Sequence, residues 1–117
     1  MNHLEDNKDQ KNLQAIQKAA EYIGQNYRNK LTIEDIAQEV YLSPCYVSRI
    51  FKQSLGCTLM EYLTQVRMEE AKTMLKDPKF NVMQAAEESG FEDPGYFTRV
   101  FKKLEGITPS RFKQNAL

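Results

Sequence analysis

The chain has 117 residues, of which 41% are hydrophobic and 27% charged, a composition typical of one globular domain or two very small ones. Sixteen basic and sixteen acidic residues give a formal net charge of zero, which argues against a protein that binds polyanions over its whole surface. No run approaches the roughly 18 apolar residues of a membrane span and no signal peptide is apparent, so we expect a cytoplasmic protein that does not contact membranes.

The residue types that build metal sites and catalytic centres are scarce. His3 is the only histidine, and Cys45 and Cys57 are the only cysteines. Two cysteines are too few for a disulfide scaffold and suit a reducing compartment. We therefore predict no metal, no cofactor and no enzymatic activity, while a redox-sensing role for either cysteine stays open.

In chain order, a polar segment precedes the first amphipathic helix. Residues 1–10 are charged and lack an apolar face, which predicts a disordered tail or linker stub. From Leu13 to Tyr27 the apolar residues recur with a helical period. A short helix follows after Thr32, and a longer one starts at Ser43-Pro44 and stops at Gly56.

The same plan then repeats after a linker. A helix capped by Thr58 runs to about Lys76, where Asp77-Pro78 ends it. A second short helix starts at Asn81 and a second longer one at Asp93-Pro94, and a last helix is capped by Thr108.

These elements predict an all-α fold of about seven helices. Two helix-turn-helix subdomains, each a homeodomain-like three-helix unit, cover about 11–57 and 80–115. The linker helix, about 58–76, joins them into one domain spanning 11–117. At about 1.5 Å per residue this helix is close to 28 Å long, against about 34 Å between successive major grooves on one face of DNA.

One stretch of sequence occurs twice, fifty positions apart. YVSRIFKQSLGCT (46–58) and YFTRVFKKLEGIT (96–108) share six of thirteen residues. Helical spacing predicts one buried stripe per copy, made of Val47, Ile50, Phe51 and Leu55 in the first and Phe97, Val100, Phe101 and Leu104 in the second. The opposite stripes are Cys45, Ser48, Arg49 and Lys52 in the first copy and Gly95, Thr98, Arg99 and Lys102 in the second.

A repeated polar stripe indicates a repeated task, although two solvated helix faces of common ancestry would look the same. An arginine on the outer face of a second helix can form a bidentate pair with guanine O6 and N7. A lysine one turn later reaches phosphates, and capped helix starts present free N–H groups to them. The phosphate-binding candidates are Thr32, Lys52, Thr58, Asn81, Lys102, Lys103, Thr108 and Arg111.

The second copy carries the pattern A-x-x-x-G-F-x-D-x-x-Y-F-x-R-x-F-K-K-x-x-G-x-T-P-x-x-F from Ala86 to Phe112. Over about 12–115 the chain thereby resembles the DNA-binding domain of the AraC/XylS family of bacterial transcription regulators. The resemblance implies a sequence-specific activator that places helices of about 44–55 and 94–104 in adjacent major grooves of an asymmetric site. Carried over by position, the base-reading candidates are Pro44, Cys45, Ser48, Arg49, Pro94, Gly95, Tyr96, Thr98 and Arg99.

The expected partners are double-stranded DNA and RNA polymerase. We expect the isolated domain to be monomeric, and a full-length regulator to dimerise through a domain absent here. The sequence resembles the output domains of response regulators as much as the stand-alone type. The alternative is a helical protein-interaction module that does not bind nucleic acid. The zero net charge and the methionines of the linker helix favour this alternative.

Overall fold

The computed structural model describes residues 3–117, with side chains from Asn7 onward, and over this range the chain forms seven α-helices and no strand. The predicted all-α class is confirmed. The helices are α1 (His3–Asn26), α2 (Ile33–Glu39), α3 (Pro44–Leu55), α4 (Leu59–Leu75), α5 (Val82–Glu88), α6 (Pro94–Glu105) and α7 (Pro109–Ala116).

The start of the chain differs from the prediction. The structure continues α1 back to His3, where the sequence predicted a disordered segment over 1–10, of which residues 1 and 2 lie outside the described range. Side chains 7–10 are exposed. Lysine and glutamine, such as Lys8 and Gln10, lose little rotamer freedom in a helix, so residues 7–10 can be helical while their side chains stay exposed.

The chain divides into two compact units. The first contains the residues up to Asn26 together with 31–63, and the second contains 27–30 together with 64–117. The helix α4 therefore contributes its first residues to the first unit and the rest to the second. The segment 27–30, which follows α1 in the chain, belongs by its contacts to the second unit.

In the first unit α1, α2 and α3 pack pairwise on one another. Ala37 on α2 is buried and α2 contacts α3, and a small residue at a buried helix position allows two helices to pack closely. The ring of Phe51 on α3 is fully buried and meets Tyr62 edge-on, with centroids 5.5 Å apart. The largest fully buried side chains of this unit are Ile23, Ile36, Val47, Phe51, Leu59 and Leu63.

The second unit repeats this packing. Ala86 on α5 is buried like Ala37, and Phe101 on α6 meets Phe112 edge-on at 5.4 Å. Met68 and Met74 of α4 lie in this core, so these two methionines serve packing rather than a partner surface.

The six helix starts predicted after α1 are all capped. The hydroxyl of Ser43 accepts from Tyr46 N, and Thr32 with Asp35, Thr58 with Glu61 and Asn81 with Gln84 form reciprocal capping boxes. Gly56 and Gly106 end α3 and α6 in the left-handed conformation.

The two helix-turn-helix turns each contain one residue with positive φ, but they use it differently. In the first turn it is Tyr41, with φ 58° and a side chain that is 87% exposed. In the second it is Gly90, with φ 97°. A Cβ on Gly90 would lie 2.5 Å from the carbonyl oxygen of Tyr27 and 2.9 Å from Nε of Arg67.

Arg67 explains why the backbone is so close to Gly90. Its Nε donates to the Tyr27 carbonyl at 2.8 Å and its Nη2 to the Asn29 carbonyl at 2.9 Å. Burial lowers the pKa of this guanidinium, which the two carbonyls partly solvate. The 27–30 segment is thus held against the turn before α6.

We expect Gly90→Ala to lower the free energy of unfolding by about 1–3 kcal/mol, because the added methyl meets backbone and the φ is positive. Tyr41→Gly should instead raise it by about 0.5–1 kcal/mol, since a residue other than glycine in this conformation costs roughly 1–2 kcal/mol. Urea denaturation followed by circular dichroism measures both.

Gly24→Ala is the matched control for Gly90→Ala. Gly24 lies in α1 with nothing near its missing Cβ, so this variant should gain about 0.5–1 kcal/mol. Similar effects of the two alanines would show that the turn before α6 is not packed as described.

The capping box of α4 gives a pH dependence. Hydrogen bonds from Thr58, first from its backbone N–H and then from its side chain, lower the pKa of the Glu61 carboxyl below its usual value. A carboxyl whose pKa is depressed in the folded state stabilises the fold. This contribution is fully present above the pKa of the unfolded state and is lost as the pH falls through the pKa of the folded state. Glu61→Gln should therefore be less stable than wild type at neutral pH and match it in acid, by thermal denaturation. A difference that does not change with pH would contradict this role of the carboxylate.

Candidate nucleic-acid interface

The base-reading candidates of the first unit lie on the outer face of α3. Opposite them, Val47, Ile50 and Phe51 are buried, so the helical period turns the candidates outward. Pro44, Cys45 and Arg49 are exposed, as is the phosphate candidate Lys52, and Ser48 is half-buried.

The candidates of the second unit lie in the same way on α6, opposite buried Phe97 and Phe101. The exposed residues of this face are Pro94, Gly95, Tyr96, Thr98, Arg99, Lys102 and Lys103. The buried stripes predicted for α3 and α6 end before the last turn of each helix. Leu55 is 47% exposed and Leu104 is 53% exposed, because each lies in the last turn of its helix, after the fully buried phenylalanine.

Arg49 is positioned by residues that the sequence prediction missed. Its guanidinium lies over the ring of Tyr46, with 5.2 Å between Cζ and the ring centroid. The Tyr46 hydroxyl donates to Oδ1 of Asn12 on α1 at 3.0 Å. The sequence could have indicated the contact of Tyr46 with Arg49, because residues three apart on a helix are neighbours. It gives no indication of the contact with Asn12, which is 34 residues from Tyr46.

Arg99 is placed differently. Its Nη1 lies 3.7 Å from the point where a Cβ on Gly95 would stand, so the guanidinium folds back towards the start of α6. At that start Asp93 accepts from Gly95 N at 2.9 Å, and the Thr98 hydroxyl donates to the Pro94 carbonyl at 3.0 Å. The two repeated faces therefore present their arginines in different local settings.

The capped helix starts are not equivalent as phosphate sites. The boxes at Thr32 and Thr58 place a carboxylate, Asp35 or Glu61, on the N-cap N–H at 3.0 and 2.9 Å. Such a carboxylate offsets the positive end of the helix dipole. The box at Asn81 uses the neutral Gln84.

The start of α7 differs from these three. Thr108 accepts from Arg111 N at 3.2 Å, and the first turn of α7, which like that of α5 contains no acidic residue, also carries the basic side chain of Arg111. Of the four threonine and asparagine caps proposed for phosphate, Thr108 therefore has the most favourable electrostatics.

Some basic residues of the second unit are engaged in the fold. Lys72 pairs with Glu105 at 2.9 Å and Glu69 at 3.2 Å, and its bonds to these carboxylates raise the pKa of its ammonium group. Lys113 donates to the carbonyls of Leu75 and Asp77 at the end of α4. Lys102, Lys103 and Arg111 remain exposed.

Six candidates of the first unit line one surface groove, whereas Thr32 lies outside it. They are Pro44, Cys45, Ser48, Arg49, Lys52 and Thr58. Within the described residues, no cluster of histidine, cysteine and acidic side chains could hold a metal. None of the helices between residues 3 and 117 is both long and apolar enough to cross a bilayer.

The chain matches a model of the helix-turn-helix domain over residues 36–115. It is 40% identical over 96 residues to the HTH-type transcriptional regulator YisR of Bacillus subtilis, covering 82% of this chain and 33% of that protein. The C-terminal domain of AraT, a response regulator from Geobacillus stearothermophilus, superposes with a TM-score of 0.82 at 32% identity, covering 86% of this chain and 84% of that one. A probable AraC family transcriptional regulator from Rhodopseudomonas palustris gives 0.80 at 28% identity, over 88% and 97% of the two chains.

The chain belongs to the AraC-type helix-turn-helix family. The predicted resemblance and the double helix-turn-helix fold are thereby confirmed, and the relatives are transcription regulators. The chain spans a third of the length of YisR.

The contact between Tyr46 and Asn12 is testable by a double-mutant cycle. Tyr46→Phe removes a half-buried hydrogen bond and should lower the free energy of unfolding by about 1 kcal/mol, and Asn12→Ala should cost a similar amount. Because both changes remove one bond, the double variant should be less destabilised than the sum of the two. Additive losses in urea denaturation would show that the bond does not form.

Proposed function

We propose that this domain binds double-stranded DNA sequence-specifically and regulates transcription by doing so. The observation that carries the proposal is the pair of exposed faces on α3 and α6, each with an arginine and a lysine opposite a buried apolar stripe. A helix with this division can enter a major groove about 12 Å wide and present its outer face to base edges.

Arg49 and Arg99 are the proposed readers of guanine. Each guanidinium can donate two parallel hydrogen bonds to O6 and N7, and no other exposed side chain on these faces offers that geometry. Tyr46 and Asn12 restrict the conformations of Arg49 before DNA arrives, which reduces the entropy lost on binding.

The phosphate contacts would come from the flanks of these faces. Lys52 at the end of α3 and Lys102 and Lys103 at the end of α6 are exposed cations. Thr108 and Arg111 add a helix start with no acidic residue in its first turn. Contacts of this kind fix register and strength but not sequence.

Two unequal faces suit one asymmetric site. Cys45 is replaced by Gly95 in the second copy, and the two arginines sit in different settings. We further propose that the domain binds such a site as a monomer, places α3 and α6 in two major-groove segments, and activates transcription in the cytoplasm through contact with RNA polymerase.

A binding titration tests the base readers. A site is first selected from a random duplex pool, and wild type, Arg49→Ala and Arg99→Ala are titrated against it at two salt concentrations. Each alanine should weaken binding about 10- to 100-fold, corresponding to 1–3 kcal/mol for a bidentate pair, and wild-type affinity should fall as salt rises.

Arg28→Ala is the matched control. Arg28 is an exposed arginine outside both helices, so its removal changes the net charge equally and should alter affinity less than about threefold. If Arg28→Ala lost as much affinity as Arg49→Ala, Arg49 and Arg99 would contribute only positive charge and would not read bases. Absence of any binding would overturn the proposed function.

A further inference from the structure

An apolar groove of about 730 Å³ runs beside the outer face of α3. Ile33 contributes from the start of α2, and Leu59 and Met60 from the start of α4. On α3 the groove is lined by Pro44, Cys45, Ser48, Arg49, Lys52 and Gln53, so it runs along the face proposed to read bases. Leu59 belongs to the core of the first unit, whereas Ile33 is half-buried and Met60 is 40% exposed, so part of the apolar lining is open to solvent.

Two of the α3 residues that line this groove, Pro44 and Cys45 at the start of the helix, offer little for hydrogen bonding to a base. Proline has no N–H, and a cysteine thiol is a weak donor that behaves as a small apolar group. At the corresponding position of α6 Gly95 has no side chain at all. The first face is therefore distinguished by apolar contact area around Cys45 rather than by additional polar readers.

The charges around the groove fit a polyanion. Arg49 and Lys52 lie along it, and Glu34 is the one acidic residue among those that line it. The occupant should accordingly have an apolar part that enters the groove beside Cys45, and negative charge or acceptor atoms near the two cations.

The major-groove edge of a base pair contains one apolar group, the C5-methyl of thymine. We propose that the first recognition face selects thymine, by packing its methyl group against Cys45 and the adjoining groove, next to the guanine that Arg49 reads. This inference rests on the proposed function, and it adds a second base, thymine, to the guanine that Arg49 is proposed to read.

The test compares thymine with deoxyuridine, which lacks only the methyl group. A duplex selected from a random pool is prepared once with thymine and once with deoxyuridine throughout, and the dissociation constants of the full chain are measured for both. Wild type should bind the deoxyuridine duplex about three- to tenfold more weakly. Cys45→Ser, which makes the position polar at nearly constant size, should lower this ratio towards one, and Cys45→Val should keep it.

Cys57→Ser is the matched control. Cys57 is half-buried, does not border the groove, and undergoes the same chemical change, so its ratio should equal that of wild type. Equal wild-type affinities for the two duplexes would overturn the inference. An unchanged affinity ratio in Cys45→Ser would overturn it as well. So would the selected sites, if the guanine that wild type selects and Arg49→Ala does not select has no thymine next to it.

The two failures are distinguishable. If the chain binds neither duplex, the proposed function fails and this inference with it. If it binds both duplexes equally and Arg49→Ala still weakens binding, the chain reads DNA but not the methyl group.

Discussion

The edge-on packing of one buried phenylalanine in each unit is the interaction on which the rest of the structure depends. Phe51 meets Tyr62 and Phe101 meets Phe112, at 5.5 and 5.4 Å and with the same interplanar angle of 74°. Edge-to-face geometry is one of the arrangements that aromatic rings prefer, and each pair joins the second helix of a helix-turn-helix to the helix that follows it. Once Phe51 or Phe101 is buried, the helical period leaves the residues two before it facing outward, which are Arg49 and Arg99.

The two units repeat this packing but have diverged around it. The clearest divergence is in the turns, where Tyr41 and Gly90 both take positive φ. Gly90 is required because the 27–30 backbone, held by Arg67, leaves no room for a Cβ. The Tyr41 side chain is exposed, with Lys18 Nζ 5.2 Å from its ring centroid, so a residue other than glycine is tolerated there at the cost of backbone strain.

Although the net charge is zero, the charged residues have different roles: some stabilise the fold, and others are exposed on α3 and α6. Lys72, Lys113 and Arg67 hold helix ends and the 27–30 segment in place through carboxylates and carbonyls. Glu61 and Asp35 cap helices. Arg49, Lys52, Arg99, Lys102 and Lys103 are instead exposed on α3 and α6, where an external partner can reach them, and a count of charges over the whole chain does not reveal this placement.

Much of this protein could be predicted from local pattern. Capping residues, the prolines after Ser43 and Asp93, and the glycines at 56 and 106 act within one helical turn, so the sequence alone determined where these helices begin and end. The repeat likewise determined the fold class and the outward direction of Arg49 and Arg99, because a 3.6-residue period assigns one face to the core. Only the tertiary structure decided that Asn12 orients Tyr46, that Arg67 makes Gly90 obligatory, and that Leu55 and Leu104 stay exposed. Those features join residues far apart in the chain or depend on how far a packed surface extends, and neither distance nor extent is encoded in local periodicity.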